Sequence, residues 1–268
     1  MPDNSFVALG ALVSRLVEDG VLYGFLLTLA RISGALAFLP LAAFRATPEP
    51  ARIVLALAFT LILWPQWKAP HGFPQLSGIL AGVLTELALG LAIGIAVAIV
   101  MEVFQVAAQM VSLQAGFGFA STIDPTNGAD STVLLTLAQI LAGLMFFTSG
   151  ADRMLIRALS DSMQLAPPTV FQLKAHWAEG MIRFSASIFS SGFRLAAPVV
   201  ALLLLADASL AVLGRVQSQI HLVSLTMPVK LLATTLLLAT SIGIQPRFFA
   251  SAITQCIRFI EGMLRSSH

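Results

Sequence analysis

GILAGVLTELALGLAIGIAVAIVMEVFQVAAQMVSL, residues Gly78–Leu113, runs for 36 residues with Glu86 and Glu102 as its charges. As one α-helix it would be about 54 Å long at 1.5 Å per residue. A bilayer's hydrocarbon core is about 30 Å thick. Such a segment tilts strongly, breaks at Gly90 or Gly94, or leaves the membrane for a space lined by protein. It sets the expectation for the whole chain: an all-α membrane protein made of helical hairpins.

Outward from this segment the chain keeps the same character. Further apolar blocks are Val21–Phe44, Ile53–Trp64, Val133–Thr148, Ile188–Leu213 and Leu222–Ile244. Of 268 residues, 57% are apolar and 10% charged, and the net charge is +2. Mean hydropathy is +0.90 and the pI about 9.1. Ordinary soluble domains carry about 25% charged residues. That shortfall excludes a soluble enzyme, a disordered chain and a nucleic-acid-binding module. The basic excess sits near segment ends and in the C-terminal tail, which fits orientation in a membrane. The first residues carry Asp3 and no Lys or Arg before Arg15, so no cleavable signal peptide is expected and insertion uses an internal span. Cys256 is the single cysteine and reads as a small apolar filler.

Turn chemistry divides the blocks into hairpins. One turns at Gly116–Ser131 and another at Gly214–His221. The stretch Asp152–Glu179 is the most water-like and reads as a linker, with Pro167 and Pro168 inside it. No Lys or Arg lies between Lys68 and Arg153, so the positive-inside rule puts Asp152–Glu179 in the cytoplasm and the Gly116–Ser131 turn away from it. In the tail Arg247–Arg265, Phe249, Ile253, Ile257, Ile260 and Leu264 recur every three or four residues. That amphipathic pattern predicts a helix on a membrane surface or a partner.

Several polar residues stand where lipid does not tolerate them. The turn Gly116–Gly128 reads GFGFASTIDPTNG. Asp124-Pro125 followed by Asn127-Gly128 favours a turn, because proline presets φ and Asn-Gly accepts positive φ. Gly116-Phe117-Gly118-Phe119 joins a free backbone to two packing rings. It reads either as an apolar loop at a membrane surface or as a mobile plug, since irregular backbone at membrane depth survives only inside protein or beside water. Ser121 stands where a dinucleotide fingerprint needs its third glycine, and no strand precedes it. Upstream, Glu102, Gln105, Gln109 and Ser112 line one narrow helix face. They either bond across to another helix, with Gln139 the nearest candidate, or face a lumen. Glu86 points about 160° away from Glu102 around the same helix, so the two are not an acid–base pair.

Gly90 and Gly94 form a small-xxx-small contact for close helix packing. Asp207 and Lys230 lie almost equidistant from the turn near Gln219, so antiparallel helices would bring them to one depth as a buried ion pair; the alternative is that each snorkels to a surface. His71, His176, His221 and His268 are too scattered to bind metal, and P-loop and G-x-S-x-G motifs are missing. Neither an enzyme nor a bound cofactor is expected.

These residues, in their order, resemble a family. Arg31-Ile32-Ser33-Gly34 with Pro40, then Pro48, Pro50 and Arg52, is similar to the N-terminal part of FliR, a membrane component of the flagellar type III export apparatus. So are Glu86-Leu87 with Gly90 and Gly94, the Gln105–Gln109 stretch, Ser112-Leu113-Gln114-Ala115-Gly116-Phe117 and Asp124-Pro125. Ser160-Asp161-Ser162 before Pro167, Ala197-Pro198 and Met227-Pro228-Val229-Lys230 continue the resemblance, which covers about Leu26 to Ile244. The turn Gln217-Ser218-Gln219-Ile220-His221 departs from the Pro-Gln pair that the family places there. The injectisome counterpart, the SctT type, therefore stays an alternative.

The resemblance implies a single FliR-type domain over residues 1–268. It would comprise a FliP-like part over about 20–162, a FliQ-like hairpin over about 180–245 and a tail over 246–268. It implies FliP- and FliQ-type partners in a helical export gate, FlhB- and FlhA-type proteins beside it, and unfolded export substrates passing through. Membrane lipid is a further partner and nucleic acid is not. The location implied is the bacterial inner membrane at the flagellar basal body, with several passes. The channel plug would run from about Met110 to Asn127, through Gly116, Phe117, Gly118, Phe119, Asp124 and Pro125. Energy would come from a partner ATPase and the proton motive force. A secondary transporter using Glu86, Glu102, Asp207 and Lys230 is a competing reading, but it needs inverted repeats that the chain does not display. A membrane scaffold without a channel is the third, separated from the first by the polar stripe.

Overall fold

The computed structural model describes residues 20–38, 48–63, 74–117, 132–168, 175–216, 222–241, 243 and 245–265, and every regular element among them is an α-helix. In chain order these are α1 (Val21–Ala37), α2 (Glu49–Leu63), α3 (Leu76–Ala115), α4 (Thr132–Thr148), α5 (Ala151–Leu165), α6 (Ala175–Val216), α7 (Leu222–Ser241) and α8 (Gln245–Arg265). Helices α3 and α6 are long and apolar enough to cross a membrane. Two bent pairs, α4 with α5 and α7 with α8, bring the number of candidate spans among the described residues to four at most.

The overlong segment is one helix of 40 residues that does not break at Gly90 or Gly94. Those glycines lie inside a regular helix because another helix needs the space. The chain forms two compact units, each assembled from separate stretches.

The first unit takes residues 1–98, 152–182 and 255–268. In it α1 packs against α2. Helix α1 also crosses the first part of α3 at very short range. A side chain on Gly90 would run into the carbonyl of Arg31, one on Gly94 would come within 2.5 Å of the Ala35 oxygen, and one on Gly34 within 2.6 Å of the Leu87 oxygen. Small residues on both helices thus let the two backbones touch.

The polar stretch read as a linker is instead helix α5 followed by the start of α6. Its charges mislead because they occupy one side. Leu155, Ala158, Leu159, Ser162, Met163 and Ala166 are all buried, at the three- and four-residue steps of a helix face. The tail needs a similar correction. Phe249, Ile253, Cys256, Ile260 and Leu264 of α8 are buried against the protein itself, so the apolar face expected on a membrane surface is already covered.

The second unit takes residues 99–151 and 183–254. The second part of α3 supplies Val100, Val103, Phe104, Ala107 and Val111 to its core. Phe104 meets Phe249 with ring centroids 5.8 Å apart. Much of α6 stays uncovered: 17% of its most apolar stretch is buried, against 56% for α3. Phe189, Phe193, Leu202 and Leu205 are more than half or about half exposed along it. Apolar surface on this scale calls for hydrocarbon or another protein.

Candidate functional site

An arginine in an apolar helix must find partners or unfold its surroundings. Arg31 of α1 is fully buried and finds all of them in the first unit. Its Nε donates to Glu86 Oε2 of α3 at 2.6 Å, and Nη2 lies 2.5 Å from the same oxygen. Nη1 donates to the Ser162 carbonyl at 2.8 Å and to Ser162 Oγ at 3.2 Å, and Nη2 donates to the Ala166 carbonyl at 2.9 Å. The five N–H groups of a guanidinium are all engaged.

The last two acceptors end α5, where the chain runs into Pro167-Pro168. The Ser162 carbonyl also accepts the Ala166 N–H at 3.0 Å, so the helical bond is kept there and the guanidinium adds to it. At the Ala166 carbonyl it is a donor beyond the end of the helix, and its charge suits the negative end of the helix dipole. Glu86, Arg31 and α5 therefore hold one another, with Ser162 Oγ passing its own proton to the Leu159 carbonyl at 2.7 Å. Sequence reasoning noticed Arg31, Glu86 and Ser162 separately and missed the cluster. The available signal was that each is an unmatched polar group within an apolar helix face.

The expected stripe lies in the second unit and divides. Gln105 donates to Glu102 Oε1 at 2.8 Å and accepts from Gln139 Nε2 of α4 at 3.1 Å. The second of these is a bond between α3 and α4, through the Gln139 named from the sequence. Gln109 is exposed and Ser112 is buried, so burial within the chain differs along the four.

Lys230 of α7 lies 2.6 Å from Asp207 Oδ1 of α6. The pair is not the enclosed one expected: its side chains are 14% and 34% exposed, respectively. A third member was not foreseen. Gln114 Nε2 donates to Asp207 Oδ2 at 2.9 Å, and Lys230 Nζ donates to the Gln114 carbonyl at 3.3 Å. That carbonyl belongs to the last turn of α3, where helix oxygens lack intrahelical donors and favour a cation. The pair thus ties α6 and α7 to the end of α3.

The same end is closed by Gly116. Its φ is 85°, a left-handed value that suits glycine. Phe117 N–H donates to the Ser112 carbonyl at 3.1 Å, and Gly116 N–H to the Leu113 carbonyl at 3.3 Å. This Schellman arrangement makes Gly116 a helix stop. Met110 and Phe117 are half-buried. Gly118, Phe119, Asp124 and Pro125, like the Gln217–His221 turn, lie outside the described residues.

Among the described residues no group of His, Cys, Asp and Glu is placed to hold a metal ion. The charged groups in the apolar interior bond to one another and to helix ends. That chemistry joins helices.

Residues 22–256 match the family described as bacterial export proteins, family 1. The chain belongs to that family. It is 26% identical over 225 residues to the flagellar biosynthetic protein FliR of Bacillus subtilis, covering 82% of this chain and 86% of that one. With FliR of Pectobacterium carotovorum it shares 28% identity over 158 residues, 59% of this chain and 60% of that one. The surface presentation of antigens protein SpaR of Shigella flexneri is 26% identical over 128 residues, 48% of this chain and 49% of that one. The matched part thus spans about three fifths of some FliR relatives and about half of SpaR. The family is one of export-apparatus components, and all-helical architecture with apolar helices long enough to cross a membrane agrees with membership.

Proposed function

We propose that this chain is an inner-membrane subunit of the flagellar type III protein export gate, assembled with FliP- and FliQ-type subunits. The observation that carries the reading is the family match over residues 22–256. The flagellar version is favoured over the injectisome version because the match to a flagellar FliR reaches 82% of the chain and the match to SpaR 48%. The exposed apolar flank of α6 supports the membrane location, since hydrocarbon covers apolar surface of that kind.

In this reading the chain moves no electrons and breaks no bonds. It positions helices around a passage for unfolded polypeptide. The Gln114–Asp207–Lys230 junction holds the end of α3, and residues from Met110 onward block the passage until substrate arrives. FlhB- and FlhA-type proteins are its neighbours at the basal body.

The test is a pair of measurements on the assembled complex. Deleting Gly116–Phe119 is expected to raise ion conductance across membranes that hold the complex, while secretion of flagellar substrates persists or falls. Conductance equal to that of intact complexes would remove the plug role. Restored swimming when the intact chain is supplied to a flagellated strain lacking its own FliR supports the flagellar assignment. Restored effector secretion in an injectisome strain, without swimming, would overturn it.

A further inference from the structure

The second unit contains a cavity of about 400 Å³ between α3, α4, α6 and α7, reaching the start of α8. This is within the usual range for small-molecule sites, about 300–1,000 Å³. Its walls are apolar, with Phe104, Val111, Ala138, Leu195 and Leu238 among them. Leu137, Thr235 and Ala239 line it and are also exposed, so it opens to the outside. On α7 that outer surface carries the exposed Leu232 and Leu236.

Gln245 also lines the cavity. The residue is 8% exposed, and its Oε1 is buried with no hydrogen-bond partner. Among the described residues its Nε2 reaches Ser241 Oγ, at 3.5 Å. Exchanging amide oxygen and nitrogen brings no relief, because the Ser241 hydroxyl already gives its proton to the Leu238 carbonyl at 2.8 Å. Buried acceptors are normally satisfied. The site therefore asks for two things at once: hydrocarbon to fill an apolar volume, and one donor for a buried oxygen. A water at Gln245 would supply the second and leave the apolar volume empty.

We infer that this cavity takes an acyl chain of a membrane phospholipid whose head group carries a hydrogen-bond donor, accepted by Gln245 Oε1. A flexible tail fits walls made of alanine and leucine, and the exposed leucines at the opening are the kind of surface that hydrocarbon covers. An ammonium or hydroxyl head group meets the need at Gln245. A trimethylated head group does not, having no donor. The inference rests on the membrane reading of the chain and adds to it a site with a chemical preference.

The experiment uses the full chain, in its assembled complex, in membranes doped with phosphatidylethanolamine or phosphatidylcholine bearing the same photoreactive tail. After illumination, labelled peptides are located by mass spectrometry. Phosphatidylethanolamine is expected to label the cavity walls on α3, α4 and α7 roughly fivefold more than phosphatidylcholine, the equilibrium worth of one ordinary hydrogen bond. Both lipids should label the α6 flank alike. Gln245→Leu should abolish the head-group difference. Ala138→Phe should abolish cavity labelling and spare the flank. Equal cavity labelling by the two lipids in the unmodified protein overturns the inference. So does a labelled flank with an unlabelled cavity, or photocrosslinking from a cavity position to a protein subunit. Loss of labelling on the flank as well would instead remove the membrane reading beneath it.

Discussion

The Arg31–Glu86 pair and the Asp207–Lys230 pair both join distant helices, yet they are built to different standards. The side chains of the first are 0% and 1% exposed, and the arginine has no donor left over. Those of the second are 14% and 34% exposed, and its third partner is a glutamine side chain with one helix carbonyl. The first unit adds backbone contact at Gly34, Gly90 and Gly94, whereas the second holds an open apolar cavity. A fully enclosed charge pair can be made once and kept. A partly exposed pair held by fewer bonds loses less when it opens. The first unit has the construction of a fixed frame and the second that of a part able to yield.

The largest effect is expected from breaking the enclosed pair. Glu86→Gln leaves a buried guanidinium without its counter-charge and should destabilise the protein by about 3–5 kcal/mol. Complex yield after gentle detergent extraction should collapse. The double change Arg31→Met with Glu86→Leu should recover part of the yield, since apolar residues of similar volume often replace buried pairs without loss. If Glu86→Gln is tolerated as well as Asp207→Asn, the contrast between the two units disappears.

Next come the glycines. Gly90→Ala places a methyl group against the Arg31 carbonyl and should cost about 1–3 kcal/mol through forced backbone separation. Gly143 of α4 meets nothing within 4 Å, so Gly143→Ala should be neutral or add up to about 1 kcal/mol of helix propensity. Limited proteolysis of both variants would compare them directly.

A smaller effect is expected at the open junction. Asp207→Asn should cost about 1 kcal/mol, because the amide oxygen still accepts one of the two bonds that the carboxylate takes. Export rate is the sharper readout here, because a loosened end of α3 should shift opening before it shifts yield. Exchanging the charges, with Asp207→Lys and Lys230→Asp, should rescue incompletely. The new carboxylate would face the Gln114 carbonyl and the new ammonium the Gln114 amide, both the wrong way round for hydrogen bonding.

Much of this was legible from residue order. The apolar blocks and the depth relation of Asp207 to Lys230 follow from composition and helical geometry. The partner of Glu86 did not, because Arg31 lies 55 residues away and no periodicity links positions on different helices. Helix α5 was obscured by its charges, although Leu155, Leu159, Ser162 and Met163 keep helical spacing. The apolar stripe of α8 was plain in its spacing, but a stripe does not say what covers it, and here the protein does. Gln114 drew no attention as a side chain because polar residues at helix ends are ordinary.

Co-purification bears most directly on the proposed export-gate subunit with one fixed and one yielding unit. The tagged chain would be expressed with and without FliP- and FliQ-type subunits and extracted in mild detergent. The expected result is a discrete complex that forms only when those subunits are present and is lost with Glu86→Gln but kept with Asp207→Asn. A stable monomer or homodimer of this chain alone, indifferent to both changes, would contradict it.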